Sequence, residues 1–311
     1  MSKKKENQFE KGTVIKRCRE DRIFDAVIFI ILTLILLIVA YPLYWVIISS
    51  FSDPKAVSAG QVIWKPIGFT LKGYAEVFND DSVVRGFFNA IVITVSGVLV
   101  NLAVTMPTAY ALSRSKFGGK KIITAFYMVT MFFSGGLIPT YLVIRNLHML
   151  DTYWALILPG CLGVYNMIVA RTFFQSNISE ELYEAAEIDG CTQGQFFFKI
   201  ALPLSGAITA ILVLYYGVGH WNSYFSALIY ISDPEKYPLQ LVLRNILITN
   251  EAALSQAATS AAARAALREK QELIDVMKYS LIIISSVPVL VLYPFIQKHF
   301  VKGVMIGSVK G

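Results

Sequence analysis

The chain has 311 residues, of which 55% are hydrophobic and 16% charged, with a mean hydropathy of +0.57. This composition is too apolar for a soluble globular domain and indicates a membrane protein. The net charge of +7 comes from bases that flank apolar segments, which favours a topology signal over a nucleic-acid surface.

Six stretches lack charged residues over about the 20 residues that a helix needs to cross a bilayer. The first follows a basic start but has no small-residue cleavage site after it, so we expect it to be retained as a helix. The sequence predicts an all-α polytopic membrane protein with six transmembrane helices within residues 26–48, 89–112, 122–144, 154–170, 201–232 and 279–297.

Lys and Arg near the ends of these helices predict the orientation. Residues 1–23 form a basic tail, and the loop between the second and third helices has four bases and no acid. Both are therefore expected in the cytoplasm. Six crossings then return the C-terminal tail, 305–311, to the cytoplasm and place three segments outside, 49–88, 145–153 and 233–278.

Between the two tails we predict one transmembrane domain over residues 24–304. The segment 49–88 is expected to form a small looped or amphipathic cap. The external loop 233–278 contains an Ala-rich insert, 251–268, which alanine's weak hydrophobicity and the late charges exclude as a seventh span.

Several kinds of chemistry are absent from the sequence. No predicted span has an acid or a base in its middle, which argues against a proton-driven or ion-driven carrier. Gly119 and Lys120 superficially match a P-loop, but Arg114 and Lys121 occupy positions that need Gly and Ser or Thr. The three cysteines lack the spacing of a disulfide framework or metal site, and no catalytic constellation is present, so we expect no enzymatic activity, metal or cofactor in this chain.

The polar groups within the spans are neutral, which suits a neutral, hydroxyl-rich solute. Helix packing or interfacial anchoring explains each of them individually as well. We interpret His220 as a hydrogen-bonded packing residue. The candidates for a substrate pathway are Asn166, Tyr216, Trp221, Asn222 and Tyr224.

An acidic segment, EAAEIDGCTQGQFFFKIALPL, lies in the predicted cytoplasmic loop 177–203. Asn177 or Ser179 can cap a helix with an acidic first turn, and Gly190 can end it. A second helical piece then leads to Pro203, which predicts a bent helical hairpin on the inner face of the membrane.

The residue types of this hairpin suit docking to a partner. Two adjacent alanines allow close approach, and Glu184 can pair with a cation of the partner. Phe196, Phe197 and Phe198 can anchor the return arm on the protein's own spans.

The same segment resembles the EAA loop of binding-protein-dependent ABC importer permeases. The likeness extends over nearly the whole chain, through YPLYW, PTAYALSRSKFGGK, GLIPTYLVI and VKGVMIGSVKG. These segments resemble carbohydrate-uptake permeases similar to the inner maltose permease subunit, and among them most resemble the Bacillus-type polysaccharide or oligosaccharide subgroup. The motif residues are Glu184, Ala185, Ala186, Gly190, Ile200, Leu202 and Pro203.

The resemblance implies the type I ABC importer permease fold, in the plasma membrane of a bacterium. It implies a second permease, an extracellular solute-binding protein, a carbohydrate substrate and a cytoplasmic ATPase dimer that binds ATP and Mg²⁺. The hairpin would be the coupling helix that docks on the ATPase. Many relatives have alanine at the position of Cys191, and cysteine is a similarly small residue that leaves room for docking. The implied ATPase-coupling residues are Glu184, Ala185, Ala186, Asp189, Gly190, Ile200, Leu202 and Pro203.

Three alternatives remain open from sequence. The first is an ABC permease for another neutral solute, since the docking motif does not report the cargo. The second is an ion-coupled or passive facilitator in which the loop has only a structural role. A polytopic membrane enzyme or scaffold is disfavoured by the missing catalytic groups.

Overall fold

The computed structural model describes residues 19–254, 271–292 and 294, and over these residues it is helical and contains no strand. The helices are α1 (Arg19–Ser50), α2 (Pro54–Ser58), α3 (Lys72–Asn79), α4 (Asp81–Ser113), α5 (Lys120–Phe132), α6 (Leu137–Asn146), α7 (Trp154–Gly160), α8 (Val164–Asn177), α9 (Glu180–Ile188), α10 (Gln193–Leu204), α11 (Gly206–Trp221), α12 (Tyr224–Tyr230), α13 (Leu239–Leu254) and α14 (Gln271–Leu292).

Three of these helices, α1, α4 and α14, are individually long and apolar enough to cross a bilayer. Three bent pairs pass the same test together: α5 with α6, α7 with α8, and α10 with α11, with bends of 114°, 52° and 79°. Each pair taken as one span gives six spans within the described residues. The predicted all-α, polytopic class is confirmed.

The boundaries of the spans differ from the sequence-based ones in several places. The second span already begins at Asp81, inside the predicted external segment 49–88. The run 122–144 is broken before Gly136, which has a left-handed φ of +83°. The run 201–232 ends as a helix at Trp221 and continues as the separate helix α12. The helix of the sixth span already includes Gln271, which lies inside the predicted external loop. Hydropathy reports apolar composition and carries no information on where a backbone bends.

Parts of several predictions lie outside the described residues. These are most of the basic tail 1–23, the greater part of the Ala-rich insert 251–268, the end of the predicted sixth span and the C-terminal tail 305–311.

The segment 49–88 does form a small cap, with the short helices α2 and α3. It is tied to α1 because Trp45 Nε1 donates to Val62 O at 2.8 Å and the Tyr44 hydroxyl donates to Trp64 O at 2.6 Å.

The long helix α4 packs against α8, α11 and α13 and so lies at the centre of the bundle. Its approach to α11 depends on Gly97, where an added Cβ would stand 2.5 Å from His220 Nε2. The His220 ring is half-buried there, and its Nε2 is 3.0 Å from Asn101 Oδ1. A carbonyl oxygen only accepts, so the imidazole donates. His220 is therefore a hydrogen-bonded packing residue, as interpreted from sequence.

The contact between α4 and α11 predicts the effect of a methyl group at Gly97. Gly97→Ala should lower the midpoint of thermal unfolding in detergent, because overpacking a tight contact costs about 1–3 kcal/mol. Gly219→Ala is the matched control, since Gly219 is also helical and a Cβ there would meet no atom within 4 Å. Equal stability of the two variants would contradict this account of the packing.

Candidate functional site

The acidic segment folds as two helices, α9 and α10, which together form the acidic hairpin (residues 180–204). The Ser179 hydroxyl caps α9 by accepting from Leu182 N at 3.3 Å. Of the two capping candidates Ser179 therefore fills the role, since Asn177 Nδ2 instead donates back to Phe173 O at 3.0 Å.

The end of α9 explains Gly190. Cys191 N donates to Ala186 O at 2.9 Å and Gly190 N donates to Glu187 O at 3.1 Å, which together form a Schellman motif. Such a motif needs a left-handed residue, and Gly190 has a φ of +80°. Its added Cβ would meet no atom within 4 Å. A glycine is thus needed at position 190 because of the left-handed backbone, and not because a side chain would clash with its neighbours.

The return arm α10 starts with a capping box, in which the side chains of Thr192 and Gln195 bond to each other's backbone N–H. A widened π-helical turn, Phe197–Ala201, follows, and Pro203, which lacks a backbone N–H, lies two residues after Ala201. The chain then turns by 79° at Ser205 into α11. The bend lies two residues beyond Pro203, one of the predicted coupling residues.

The inner face of α9 is held by a cation from the end of α4. The Arg114 guanidinium carbon lies 4.0 Å from the centre of the Tyr183 ring, and its Nη2 is 3.1 Å from Glu180 Oε1. Tyr183 is buried and packs edge-on against Phe196. A desolvated cation–π contact contributes about 2 kcal/mol, and an exposed one about 0.5–1 kcal/mol. Arg114, with 13% of its side chain exposed, resembles the desolvated case.

The outer face of α9 has no contact of this kind. Glu184 and Ala185 are exposed, and Ile188 is exposed over 87% of its surface. Leu182 of the same helix is exposed as well. Exposed apolar side chains of this kind favour a protein-docking surface.

The other predicted coupling residues fall into two groups, one exposed and one packed against the bundle. Asp189 and Pro203 are exposed. Ala186, Ile200 and Leu202 pack against the buried cluster around Tyr110 and Phe174, so they hold the hairpin on the bundle. The expectation that three phenylalanines anchor the return arm is wrong for one of them. Phe196 and Phe197 are buried, whereas Phe198 is 66% exposed, because the widened turn directs it away from the cluster.

A line of polar contacts, the polar seam (Asn101, Thr105, Gly163, Tyr216 and His220), joins three spans at the break between α7 and α8. Asn101 Nδ2 donates to Gly160 O at 3.0 Å, and Gly163 N donates to the Tyr216 hydroxyl at 3.2 Å. That hydroxyl is 2.7 Å from Thr105 Oγ1. Side chains of α4 and α11 thus satisfy backbone groups that the bend releases, as a lipid environment requires.

The structure brings together two of the five pathway candidates. Asn166 and Tyr216 both lie beside Gly163, where an added Cβ would be 3.3 Å from the polar atom of each. Trp221 is buried elsewhere, with Nε1 donating to Ser285 O at 2.9 Å. Asn222 and Tyr224 are exposed. Thr105 was not singled out from sequence, because a threonine in an apolar helix gives no signal of its partner.

At the opposite end of the bundle, Asp151 ties the loop before α7 to the loop after α12. Its carboxylate accepts from Ser232 N and Asp233 N, both at 3.0 Å, and from Lys236 Nζ at 3.2 Å. The hydrogen bond from Asp233 N, together with those from Lys236 and Ser232, lowers the pKa of Asp151. The loop also reaches α4, since Asn89 Nδ2 donates to Glu235 O at 2.8 Å.

Curated proteins similar to this chain are permease proteins. The polygalacturonan/rhamnogalacturonan transport system permease protein YtcP of Bacillus subtilis is 39% identical over 94% of this chain and all of its own length. Protein LplC of the same organism is 40% identical over 93% of this chain and 96% of its own. No protein-family model matches the chain.

A solved structure shows the same fold. It belongs to a bacterial ABC transporter involved in the import of the acidic polysaccharide alginate, with a TM-score of 0.82 and 30% identity. The match covers 91% of this chain and 99% of that one.

The left-handed end of α9 predicts a graded effect at Gly190. Gly190→Ala should increase amide hydrogen exchange in the acidic hairpin, because a left-handed L-residue costs roughly 1–2 kcal/mol. Gly190→Asn should have a smaller effect, since asparagine tolerates this conformation better. Gly194→Ala is the control, because Gly194 lies in the same hairpin with open space around it and no positive φ. Faster exchange in the Gly194 variant than in the Gly190 variants would contradict this explanation.

Proposed function

The chain belongs to the permease proteins of ABC transporters, and we propose that it forms, with a second permease, the pathway through which an oligosaccharide is imported. The family expected from the EAA loop is confirmed. This chain is a transport subunit. In the proposal, a separate cytoplasmic ATPase dimer binds ATP with Mg²⁺ and drives the cycle, and an extracellular solute-binding protein delivers the sugar.

One observation carries the proposed coupling: α9 is held on one face and open on the other. Its inner face is fixed to the bundle through Tyr183 and Arg114. Its outer face presents Glu184, Ala185 and Ile188. A separate subunit that binds this outer face can move the hairpin and, through it, the spans. Ala186, Asp189, Gly190, Ile200, Leu202 and Pro203 support the shape of that surface in the proposal.

The proposed cargo rests on the relatives and on the interior of the spans. YtcP is named for polygalacturonan and rhamnogalacturonan transport, and the similar solved structure is of an alginate importer. The polar seam of this chain offers hydroxyl and amide groups, which can hydrogen-bond the hydroxyl groups that neutral and acidic sugars share. Asn166 and Tyr216 are the pathway residues that we propose first, with Trp221, Asn222 and Tyr224 behind them.

The proposed orientation places both chain termini and the acidic hairpin in the cytoplasm of a bacterium, with the chain in the plasma membrane. It rests on the bases that flank the first span and follow the second. An ATPase that consumes cytoplasmic ATP has to meet the hairpin on that side.

Charge reversal at Glu184 tests the docking role. Glu184→Lys should lower ATP-driven uptake by at least about tenfold, because breaking a charged contact across an interface costs roughly 2–5 kcal/mol. Uptake of labelled oligosaccharide by cells, together with the amount of ATPase that co-purifies, measures this. Gln175→Lys is the control, since it places the same charge on an exposed residue at the end of α8.

Normal uptake and normal co-purification in the Glu184 variant would contradict the docking role. Uptake that persists without any ATPase in wild-type cells would instead favour a facilitator.

Thiol labelling tests the orientation. In a chain freed of its native cysteines, Lys65→Cys should react with a membrane-impermeant maleimide in intact cells, because exposed residue 65 lies in the external cap. Lys121→Cys, exposed at the start of α5, should react only after the membrane is opened. The reverse pattern would overturn the topology.

A further inference from the structure

Two ion pairs join the end of α4 to the acidic hairpin, and they differ in how exposed their side chains are to solvent. Arg114 and Glu180 have side chains that are 13% and 37% exposed. Lys116 and Glu187 are 3.4 Å apart, with 64% and 56% of their side chains exposed. Exposed pairs contribute little to stability because solvent screens them. The Arg114 contact is therefore the stronger connection between the two elements.

The shape of the arginine side chain matches its surroundings. The guanidinium lies over the Tyr183 ring at 4.0 Å and 5.8 Å from the ring centres of both Tyr110 and Phe196. It bonds at the same time to Glu180, which also accepts from the Ser115 hydroxyl at 2.8 Å. Only a planar cation stacks on a ring and bonds in its own plane simultaneously, so lysine is a poor substitute.

Arg114 is itself held firmly. It follows the last residue of α4, and its carbonyl oxygen accepts from Lys120 Nζ at 2.8 Å. Two residues earlier, Leu112 O accepts from Arg171 Nε of α8 at 3.0 Å. Cations at the carboxyl end of a helix complement its dipole and its unpaired carbonyls. The guanidinium is thus fixed to the end of α4.

The covalent connection from the acidic hairpin to α11 is bent. The return arm contains the widened turn Phe197–Ala201 and the 79° bend at Ser205 before it reaches α11. By contrast, α4 is one unbroken helix of 33 residues, Asp81–Ser113. It meets the polar seam through Asn101 and Thr105. The Arg114 contact therefore gives a displacement of α9 a path to the membrane interior through α4.

We propose that Arg114 is the positioning residue that transmits movement of the acidic hairpin to the second span, by clamping Tyr183 and Glu180 to the end of α4. The proposal rests on the proposed function, because it requires that an ATPase moves the hairpin. It assigns Arg114 a role in coupling ATP hydrolysis to transport, and no role in docking or hydrolysis.

The test uses the complete complex of both permeases and ATPase, reconstituted in liposomes with its binding protein and a labelled oligosaccharide. ATP hydrolysis and uptake are measured in the same sample, and their ratio is the readout. Arg114→Gln and Tyr183→Leu should leave the complex assembled and hydrolysing ATP, while uptake per ATP falls roughly tenfold, within the range of typical coupling free energies. Arg114→Lys should be intermediate.

Two further variants separate coupling from general damage. Tyr183→Phe keeps the ring and should restore the ratio lost in Tyr183→Leu. Lys116→Gln removes only the exposed pair with Glu187 and should behave as wild type.

An unchanged ratio in both Arg114→Gln and Tyr183→Leu overturns the proposal. So does a loss of the ATPase from the purified complex, or an equal fall in hydrolysis and uptake, because either marks a docking or structural role. A wild-type complex without any ATPase activity would instead contradict the proposed function.

Discussion

A backbone that bends inside a bilayer releases polar groups that lipid cannot satisfy, and this constraint shapes the described part of the chain. The fourth span bends between α7 and α8, and the freed groups are Gly160 O and Gly163 N. Both are satisfied by side chains, from Asn101 of α4 and Tyr216 of α11. Together with α11, the unbroken second span therefore supports the bend in the fourth span.

The same helix connects the two ends of the molecule. At one end Asn89 bonds to the loop that Asp151 also holds, and at the other Arg114 holds the acidic hairpin. A hairpin moved by a separate subunit then acts on a helix that is already bonded to two other spans. Transport by alternating access needs such a connection between the docking surface and the interior, and α4 provides it in this account.

Local chemistry made the acidic hairpin predictable. Its capping serine, its glycine stop and its return helix are encoded within a few residues, and the structure has all three. The same holds for the number of spans, since hydropathy is a sum over about 20 residues. The docking surface was predicted from Glu184 and two adjacent alanines. Glu184 and Ala185 are exposed, whereas Ala186 packs against the bundle.

Features that depend on distant partners were not predictable. The break at Gly136 and the separate helix α12 depend on packing between spans, which apolar composition does not encode. Tyr216 and Trp221 look alike in the sequence, because each is an aromatic residue in an apolar segment and carries one polar group that can donate a hydrogen bond. Only their neighbours, Thr105 on one side and Ser285 O on the other, distinguish a polar seam from ordinary packing. The clamp by Arg114 likewise joins residues far apart in the chain.

We propose above all that the acidic hairpin and the second span move as one body. Spin labels at Leu182, on the side of α9, and at Phe117, just beyond the end of α4, measure the distance between them in the reconstituted complex. We expect one narrow distance distribution that is the same without nucleotide and with ATP bound. A distribution that shifts between these two states, in a labelled complex that still imports sugar, would contradict it.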